Sequence, residues 1–171
     1  SVTNIVTQDI FYIQSKLIDN INLYKNDYSH EKIMKNLESV KLSSKVQSLT
    51  NGLNTEIGNI NENGQSLSMG EWQKISIVRS LLDDKSQIYI LDEPTSSMNP
   101  KDEIEFYKNF YEEKSDSTII AISHRLGFTK KADKIIVLNN GEIVETGTFN
   151  ELYSKRGFFY KLFNIQKEEY D

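Results

Sequence analysis

The chain has 171 residues and a formal net charge of −5. This acidic balance argues against a nucleic-acid-binding surface, because contacts to phosphate groups need a basic face. The absence of cysteine excludes disulfides, thiolate metal sites and thiol nucleophiles. No apolar run approaches the ~20 residues of a membrane-spanning helix, and the length suits one domain, or one domain and part of another.

The first half of the chain is predicted to be mainly helical after a short opening strand. The opening "SVTNIV" is rich in β-branched residues and is typical of the end of a strand. Residues 30–49 carry apolar positions at helical spacing and predict two short helices, and the Asn- and Gly-rich residues 50–66 predict a loop. From Ser68 to about Leu82 the pattern predicts a strongly amphipathic helix, which begins with a capping box of Ser68 and Glu71.

The second half alternates strands with helices. The apolar run "QIYIL" predicts a buried strand, and "TIIAIS" predicts the next one. Between them, Asn99 at the N-cap and Pro100 in the first turn open a helix that runs to about Glu113. "KIIVLNNGEIVET" predicts a hairpin with an Asn-Gly turn, and short helices follow from "TFNE" and from Gly157. Because strands that alternate with helices favour parallel crossovers, the predicted fold class is α/β with a parallel sheet.

Two adjacent carboxylates follow the "QIYIL" strand. Asp92 and Glu93 stand at the carboxyl end of this strand, where open α/β sheets bind ligands. At such a site one acid can hold Mg²⁺ through its waters, and the other can polarise an attacking water. Adjacent residues suit these two roles, because successive side chains of a strand point to opposite sides. Two solvated acids in a turn are the simpler interpretation, and for this pair alone it would be preferred.

Other candidate residues are equally weak when taken singly. His124 follows the second strand and could contact a γ-phosphate oxygen, but an isolated His would be assigned to a loop. Ser68 and Gly70 lie at a helix N-terminus, where free backbone N–H groups attract anions, although Glu71 allows simple capping there. Gln8 carries an amide that can ligate Mg²⁺ or orient water, but it also fits a surface residue. A parallel sheet would put both strand ends at one edge, and this joint placement favours a phosphate site.

Motifs in a fixed order resemble the nucleotide-binding domain of ABC transporters. "VTQDIFYIQSKLIDNI" is similar to the family's Q-loop, "LSMGEWQKISIVRSLL" to its signature motif with the following helix, and "IYILDEP" to its Walker B strand. "SSMN" occupies the D-loop place and "ISHRL" the H-loop, and "ADKIIVLNNGEIVETGTFNEL" is similar to the usual ending. "SHRLGF" is similar to exporters, and "EWQKI" to bacterial peptide or lantibiotic exporters. The resemblance covers nearly the whole chain and implies a partial P-loop NTPase (RecA-like) parallel sheet with an inserted helical subdomain.

The resemblance also implies an activity and partners. It implies an ATP-hydrolysing domain, with ATP and Mg²⁺ as cofactors, at the cytoplasmic face of the cell membrane. Its implied partners are a second nucleotide-binding domain, as a homo- or heterodimer, and the transmembrane domain of an exporter, with no nucleic acid. Glu62 would face that membrane domain. The implied site residues are Glu93 as general base and His124 at the γ-phosphate; Ser68, Met69, Gly70 and Glu71 at the partner's ATP; Ser97 and Asn99 in the D-loop; and Gln8 and Asp92 at Mg²⁺, partly through water.

Two positions depart from the family pattern. The signature usually has glycine where Met69 stands, and the D-loop usually ends in aspartate where Asn99 stands. A side chain at Met69 would crowd the approach of a phosphate, and Asn99 removes a charge, so a weakened ATP site is one expectation. Glu93 and His124 match the family, which favours a catalytic half that is retained.

The motif that should hold the phosphates is missing. No G-x-x-x-x-G-K-[ST] occurs in the sequence, and the aromatic residue that stacks on adenine in the family has no counterpart. We therefore expect an N-terminally truncated domain that alone neither binds ATP well nor hydrolyses it. Residues 1–82 would hold the Q-loop and the helical signature subdomain, and residues 83–171 the C-terminal part of the RecA-like core. A truncated sheet exposes strand edges and apolar surface, so we also expect self-association.

Two other interpretations stay open. An ABC-type ATPase of DNA repair shares the signature and Walker B motifs, but such proteins carry long coiled coils and this chain has no heptad run. A non-hydrolysing subunit that only donates its signature to a partner's ATP is favoured by the missing P-loop and by Met69. The presence of Gln8, Glu93 and His124 argues against that second interpretation.

Overall fold

The structure is a computed structural model that describes residues 2–23, 28–57 and 66–167. The helices, in chain order, are α1 (Leu17–Ile21), α2 (His30–Ser39), α3 (Ser43–Ser48), α4 (Met69–Leu82), α5 (Pro100–Glu113), α6 (Phe149–Lys155) and α7 (Phe158–Gln166). The strands are β1 (Thr3–Val6), β2 (Ser15–Lys16), β3 (Glu56–Ile57), β4 (Ile88–Asp92), β5 (Thr118–Ile122), β6 (Ile135–Asn139) and β7 (Glu142–Gly147).

Three parallel strands form the central sheet, in the order β1-β4-β5. Val6 pairs with Leu91 near the end of β4, and Asp92 pairs with Ile122 at the end of β5. Because the three strands run in the same direction, their carboxyl ends meet at one edge of the sheet. The predicted α/β fold with a parallel sheet is confirmed.

One face of this sheet is buried and the other is open. Tyr89 of β4 is buried and packs edge-to-face against Phe110 of α5, with ring centroids 5.6 Å apart. Ile90, the next residue, points to the opposite face and is only half-buried. Its neighbours across the sheet, Ile5 and Ile120, are 55% and 48% exposed. The prediction of a buried strand is therefore correct for one face only, since an apolar run does not state how many faces are covered.

Helix α4 begins as predicted but is buried more completely than predicted. Ser68 is its N-cap: the hydroxyl accepts from the N–H of Glu71, and the Glu71 carboxylate accepts from the N–H of Ser68. Every residue from Ile77 to Leu82 is buried, because α4 packs against β1, α1 and α2. The predicted amphipathic stripe is thus wrong for the C-terminal half, which is covered on all sides.

Lys114 closes the C-terminal end of α4. This buried side chain follows α5, and its ammonium group donates to the carbonyls of Leu81 at 2.9 Å and Asp83 at 2.8 Å. A cation is favourable there because the last carbonyls of a helix carry partial negative charge. The Tyr89 hydroxyl also donates to the Asp83 carbonyl, and burial raises the pKa of Tyr89 to about 12. These contacts join the end of α4 to α5 and β4.

Residues 50–66 contain more structure than the predicted loop. A 3-10 turn covers Gly52–Asn54, and β3 pairs with β2 in an antiparallel arrangement. Periodicity could not indicate this pairing, because each of the two strands has only two residues. Residues 58–65 lie outside the described residues, and Glu62 is among them.

A hairpin and two helices form a second apolar core. Strands β6 and β7 meet at Asn140 and Gly141, whose φ angles of 50° and 81° fit the predicted Asn-Gly turn. Thr148 and Glu151 form the predicted capping box of α6. The buried residues of this core are Ile135, Val137, Leu152, Phe159 and Phe163.

The chain divides into two compact units. One consists of Ser1–Met98 and Asn109–Ile122, and the other of Asn99–Lys108 and Ser123–Asp171. The predicted division between residues 82 and 83 concerns the subdomains of the family, and it stays a prediction. Among the described residues, no helix combines the length and the apolar character that crossing a membrane requires.

Candidate functional site

Gln8, Asp92 and Glu93 lie at the carboxyl edge of the parallel sheet. Gln8 follows β1, Asp92 ends β4, and Glu93 comes directly after it. The amide nitrogen of Gln8 donates to the carboxylate oxygen Oε2 of Glu93 at 2.9 Å. The sheet therefore brings together two side chains that are far apart in the sequence, and their predicted roles in catalysis stay predictions.

Glu93 has an unusual backbone conformation. Its φ angle is 45°, in the left-handed region that residues other than glycine rarely adopt. Its N–H donates to the carbonyl of Ile122 at 2.9 Å, and its own carbonyl accepts from the side chain of Gln73, also at 2.9 Å. The left-handed conformation costs about 1–2 kcal/mol. The surrounding hydrogen bonds therefore hold Glu93 against its local preference, as is common at functional sites.

The residues at this edge fit a magnesium ion that is shared with phosphate groups. Mg²⁺ in nucleotide sites is bound through one or two carboxylates together with waters and substrate phosphates. Asp92 is half-buried and presents a carboxylate, and Gln8 is exposed and offers its amide oxygen, because its nitrogen already bonds to Glu93. In the described part of the chain, no group of three or more His, Cys, Asp or Glu side chains could enclose a metal. The carboxylate of Asp92 and the amide oxygen of Gln8 fit an ion whose other ligands are waters and phosphate oxygens.

The first turn of α4 combines backbone N–H groups with a carboxylate. Met69 and Gly70 open the helix, and Met69 is 64% exposed. The Glu71 carboxylate bonds to the N–H of Ser68 and lies 3.6 Å from the ammonium group of Lys45. A helix N-terminus favours negative charge, and Glu71 already supplies some of it. A phosphate that approached this turn would meet the Met69 side chain and the Glu71 carboxylate.

Gly70 lies directly against Ser97. A Cβ atom built on Gly70 would lie 3.1 Å from the Cβ of Ser97 and 3.5 Å from its Oγ. Glycine permits this close approach because it has no side chain. The first turn of α4 and the loop between β4 and α5 are therefore in contact, which their separation in the sequence does not indicate.

Asn99 and His124 belong to the second compact unit. The Oδ1 of Asn99 accepts from the N–H of Asp102 at 2.9 Å, so it caps α5 as predicted. His124 is exposed, and its carbonyl accepts from the amide nitrogen of Gln166 at 2.6 Å, while the amide oxygen of Gln166 accepts from the N–H of Leu126 at 3.0 Å. Helix α7 thus fixes the backbone around His124. The predicted contact of this His with phosphate stays a prediction.

Three residues of α4 that no sequence motif indicated contact the site segments. Gln73 donates to the loop after β4. Trp72 stacks on Tyr12, with ring centroids 4.5 Å apart. The buried Arg79 donates to the carbonyl of Phe11 at 2.7 Å. The sequence signal for Gln73 and Arg79 is that an amide and a charged group occur in a helix whose other buried side chains are mostly apolar.

The comparisons with known proteins point to one family. Residues 3–96, more than half of the chain, match the family described as "ABC transporter". The chain is 36% identical over 164 residues to an ATP-dependent lipid A-core flippase of Mannheimia succiniciproducens. It is 37% identical over 161 residues to the multidrug resistance-like ATP-binding protein MdlB of Buchnera aphidicola. These alignments cover 95% and 94% of the chain but only 27% of each relative.

A solved structure has a similar fold. It is a bacterial Atm1-family ABC exporter with ATP bound, which is 25% identical to the chain with a TM-score of 0.79. The match covers 96% of the chain and 28% of that structure, so the chain spans roughly a quarter of the length of the proteins it resembles. Since the family match extends over more than half of the chain, this chain belongs to the ABC transporter family.

Proposed function

We propose that this chain is part of the ATP-hydrolysing domain of an ABC exporter. In this proposal, ATP hydrolysis at a head-to-tail dimer interface is coupled to transport across a membrane. The observation that carries the proposal is the 2.9 Å hydrogen bond between the Gln8 amide and the Glu93 carboxylate at the edge of the sheet. Ligands of open α/β sheets bind at that edge. The family and the names of the relatives support the same class of activity.

Glu93 is the general base of the proposed reaction. Its carboxylate takes a proton from the attacking water, and the Gln8 amide holds that carboxylate through Oε2. Asp92 and the amide oxygen of Gln8 would hold Mg²⁺, which would screen the negative charge of the phosphates. Positioning and charge stabilisation dominate phosphoryl transfer. The orientation in which the Gln8 amide holds the Glu93 carboxylate therefore affects the rate of ATP hydrolysis. His124 contacts the γ-phosphate and links its loss to opening of the dimer.

The first turn of α4 acts on ATP bound to a second nucleotide-binding domain. Ser68 and Gly70 contact the γ-phosphate there, with Met69 and Glu71 beside them. Ser97 and Asn99 belong to the D-loop, which faces the same partner, and the close contact of Gly70 with Ser97 supports a shared role. The other proposed partner is the transmembrane domain of the exporter, at the cytoplasmic face of the cell membrane.

The substrate class is also a proposal. The "EWQKI" segment favours a peptide, whereas the relatives are named for lipid A-core and multidrug transport. In the whole protein, ATP turnover that is stimulated by a peptide and not by lipid would support peptide export. Stimulation by lipid alone would contradict it.

The decisive test is the variant Glu93→Gln in the whole protein. Glutamine keeps the shape of the side chain but cannot take the proton, so we expect ATP turnover to be abolished while ATP-driven dimerisation is retained. Glu112→Gln, which changes an exposed acid on α5, is the control and should turn over ATP normally. Turnover by Glu93→Gln equal to that of the unchanged protein would contradict the role of Glu93 as the base.

The same experiment separates a second candidate function. The exposed Met69 at the start of α4 favours a subunit that only donates its signature to a partner's ATP. A donor of this kind would not use its own Glu93, so turnover in the assembled transporter would survive Glu93→Gln.

The isolated chain is expected to bind Mg-ATP weakly and not to hydrolyse it. No G-x-x-x-x-G-K-[ST] motif is present in its 171 residues, and backbone N–H groups of that loop are the main grip on the phosphates. Calorimetric titration of the chain, beside a longer version of the protein that carries the motif, measures the difference. Tight binding by the isolated chain would contradict this expectation.

A further inference from the structure

We infer that Gln73 is a positioning residue for Glu93. The Gln73 side chain joins the helix that carries Ser68 and Gly70 to the loop that carries the proposed base. The inference rests on the proposed function, because it takes Glu93 to be that base. Gln73 itself touches neither nucleotide nor water in this role. It acts through the backbone of Glu93.

The contacts of Gln73 converge on one turn. The side chain is only 6% exposed and projects from α4. Its Nε2 atom donates to the Glu93 carbonyl at 2.9 Å and to the Oγ of Ser96 at 3.0 Å. The Ser96 hydroxyl also lies 3.2 Å from the Oε1 of Gln73, and the Ser96 N–H donates to the Glu93 carbonyl at 3.3 Å. One amide therefore holds both ends of the turn from Glu93 to Ser96.

The backbone of Glu93 needs this support. With φ at 45°, the residue occupies a conformation that its side chain disfavours. The Glu93 N–H is held by Ile122 of β5, and the carbonyl is held by Gln73, so the two sides of the residue are fixed by different elements. Without the Gln73 amide, rotation about the N–Cα bond of Glu93 can return its φ to an ordinary negative value. The carboxylate would then leave the direction in which Gln8 holds it.

The position of Gln73 on α4 connects the base to the signature. Gly70 lies in the first turn of the helix and Gln73 one turn later. Any displacement of this helix end reaches the Glu93 carbonyl through the Gln73 amide. The chain's own base is thereby coupled to the occupancy of its signature.

Ser80 provides a matched control on the same helix. It is also buried, and its hydroxyl donates to the Oδ1 of Asn4 at 2.9 Å, so it links α4 to β1 and not to the Glu93 turn. Loss of either polar side chain should destabilise the fold, but only loss of Gln73 should misplace the base.

The test uses the whole protein and measures steady-state ATP hydrolysis and thermal unfolding. In Gln73→Leu we expect kcat to fall about tenfold or more, because small misplacements of a catalytic group are costly, while KM for ATP changes by less than about twofold. Ser96→Ala should lower kcat in the same direction by less, and Ser80→Ala should lower the thermal midpoint without lowering kcat.

The outcomes distinguish this inference from the proposed function. If Glu93→Gln abolishes turnover while Gln73→Leu and Ser96→Ala keep the original kcat, the positioning role is wrong and the proposed function stands. If Ser80→Ala lowers kcat as much as Gln73→Leu does, Gln73 is merely structural. If Glu93→Gln keeps turnover, the proposed function fails first. If Gln73→Leu does not fold, kcat is compared between Ser96→Ala and Ser80→Ala. A lower kcat in Ser96→Ala alone supports the inference, and an equal kcat in the two variants contradicts it.

Discussion

Glu93 is a residue whose position opposes its own backbone preference. A glycine or an asparagine would adopt φ = 45° at lower cost, but neither would bring a carboxylate of this length to the Gln8 amide. The strain and the contact occur at the same residue. Backbone strain of this kind is typical of functional sites, where the position of a side chain serves the reaction and lowers the stability of the fold.

The strain at Glu93 predicts a difference between two variants. Glu93→Gly and Glu93→Ala both lose the carboxylate and its bond to Gln8, but only glycine adopts the observed φ without a Cβ penalty. We expect the free energy of unfolding of Glu93→Gly to be about 1 kcal/mol higher than that of Glu93→Ala. Urea denaturation of both variants measures it, and equal stability would show that the backbone is not strained.

Among the elements, α7 is held by a carboxylate from a neighbouring strand. Its N-cap is Gly157, which has no side chain to bond the first N–H groups. Glu145 of β7 replaces the cap, because its carboxylate accepts from the N–H of Phe159 at 2.7 Å. The ammonium group of Lys155 lies 3.5 Å from the same carboxylate. Negative charge at a helix N-terminus is stabilising, so β7 and α7 are joined by this contact.

The Glu145 contact predicts a dependence of stability on pH. The hydrogen bond from the Phe159 N–H, helped by Lys155, outweighs burial and holds the pKa of Glu145 below its ordinary value of 4.5. A carboxylate with a lower pKa in the folded state stabilises above its unfolded pKa, and this stabilisation is lost as the pH falls through the folded pKa. We therefore expect the unfolding free energy to drop below pH 4.5, and to drop less in Glu145→Gln. Denaturant unfolding of the unchanged chain and of Glu145→Gln across this pH range measures the difference. Parallel curves of unfolding free energy against pH for the two proteins would contradict the prediction.

A second prediction concerns the space beside the same helix. A Cβ atom on Gly157 would lie 1.8 Å from the Oε1 of Glu145, so Gly157→Ala displaces this carboxylate and weakens its hydrogen bond with the N–H of Phe159. We expect a loss of about 1–3 kcal/mol of unfolding free energy. In the background of Glu145→Ala the same change should cost less, because the clashing group is gone. Equal costs in the two backgrounds, measured as a double-mutant cycle, would exclude the clash.

The elements show what the sequence could and could not predict. Helices that begin with a capping residue, at Ser68, Asn99 and Thr148, were predicted at the correct start because the signal is local. The pairing of β2 with β3, the burial of the C-terminal half of α4 on all sides and the capping of α7 by Glu145 were not predicted. Each depends on which elements lie side by side, and no local pattern states that. The role of Gln73 was hidden for the same reason.

At the scale of the whole molecule, the parallel sheet has one exposed apolar face. Ile5, Ile120 and Ile122 are 55%, 48% and 53% exposed on this face. The sequence predicted the sheet from the order of strands and motifs, but the share of each strand that is covered depends on packing. Contiguous apolar surface of this kind promotes association of the isolated chain.

The exposed face predicts self-association that depends on concentration. Ile120→Thr and Ile122→Thr keep a β-branched residue in β5 and reduce the apolar surface, so we expect each variant to associate less. Thr118→Ser, at an exposed polar position of the same face of β5, is the control and should associate like the unchanged chain. Light scattering over a series of concentrations measures the mass, and a monomer throughout would contradict the prediction.

The stack of Trp72 on Tyr12 has a spectroscopic consequence. Trp72 is the only tryptophan among the 171 residues, so the indole fluorescence of the chain comes from a single place. That place is the contact between α4 and the segment after Gln8, where the two rings lie 4.5 Å apart. A shift of either segment changes the stacking and the exposure of the indole, and with them the intensity and the wavelength of emission. The chain thus carries an intrinsic optical reporter for motion of the segment after Gln8 relative to helix α4, and no added dye is needed to follow it.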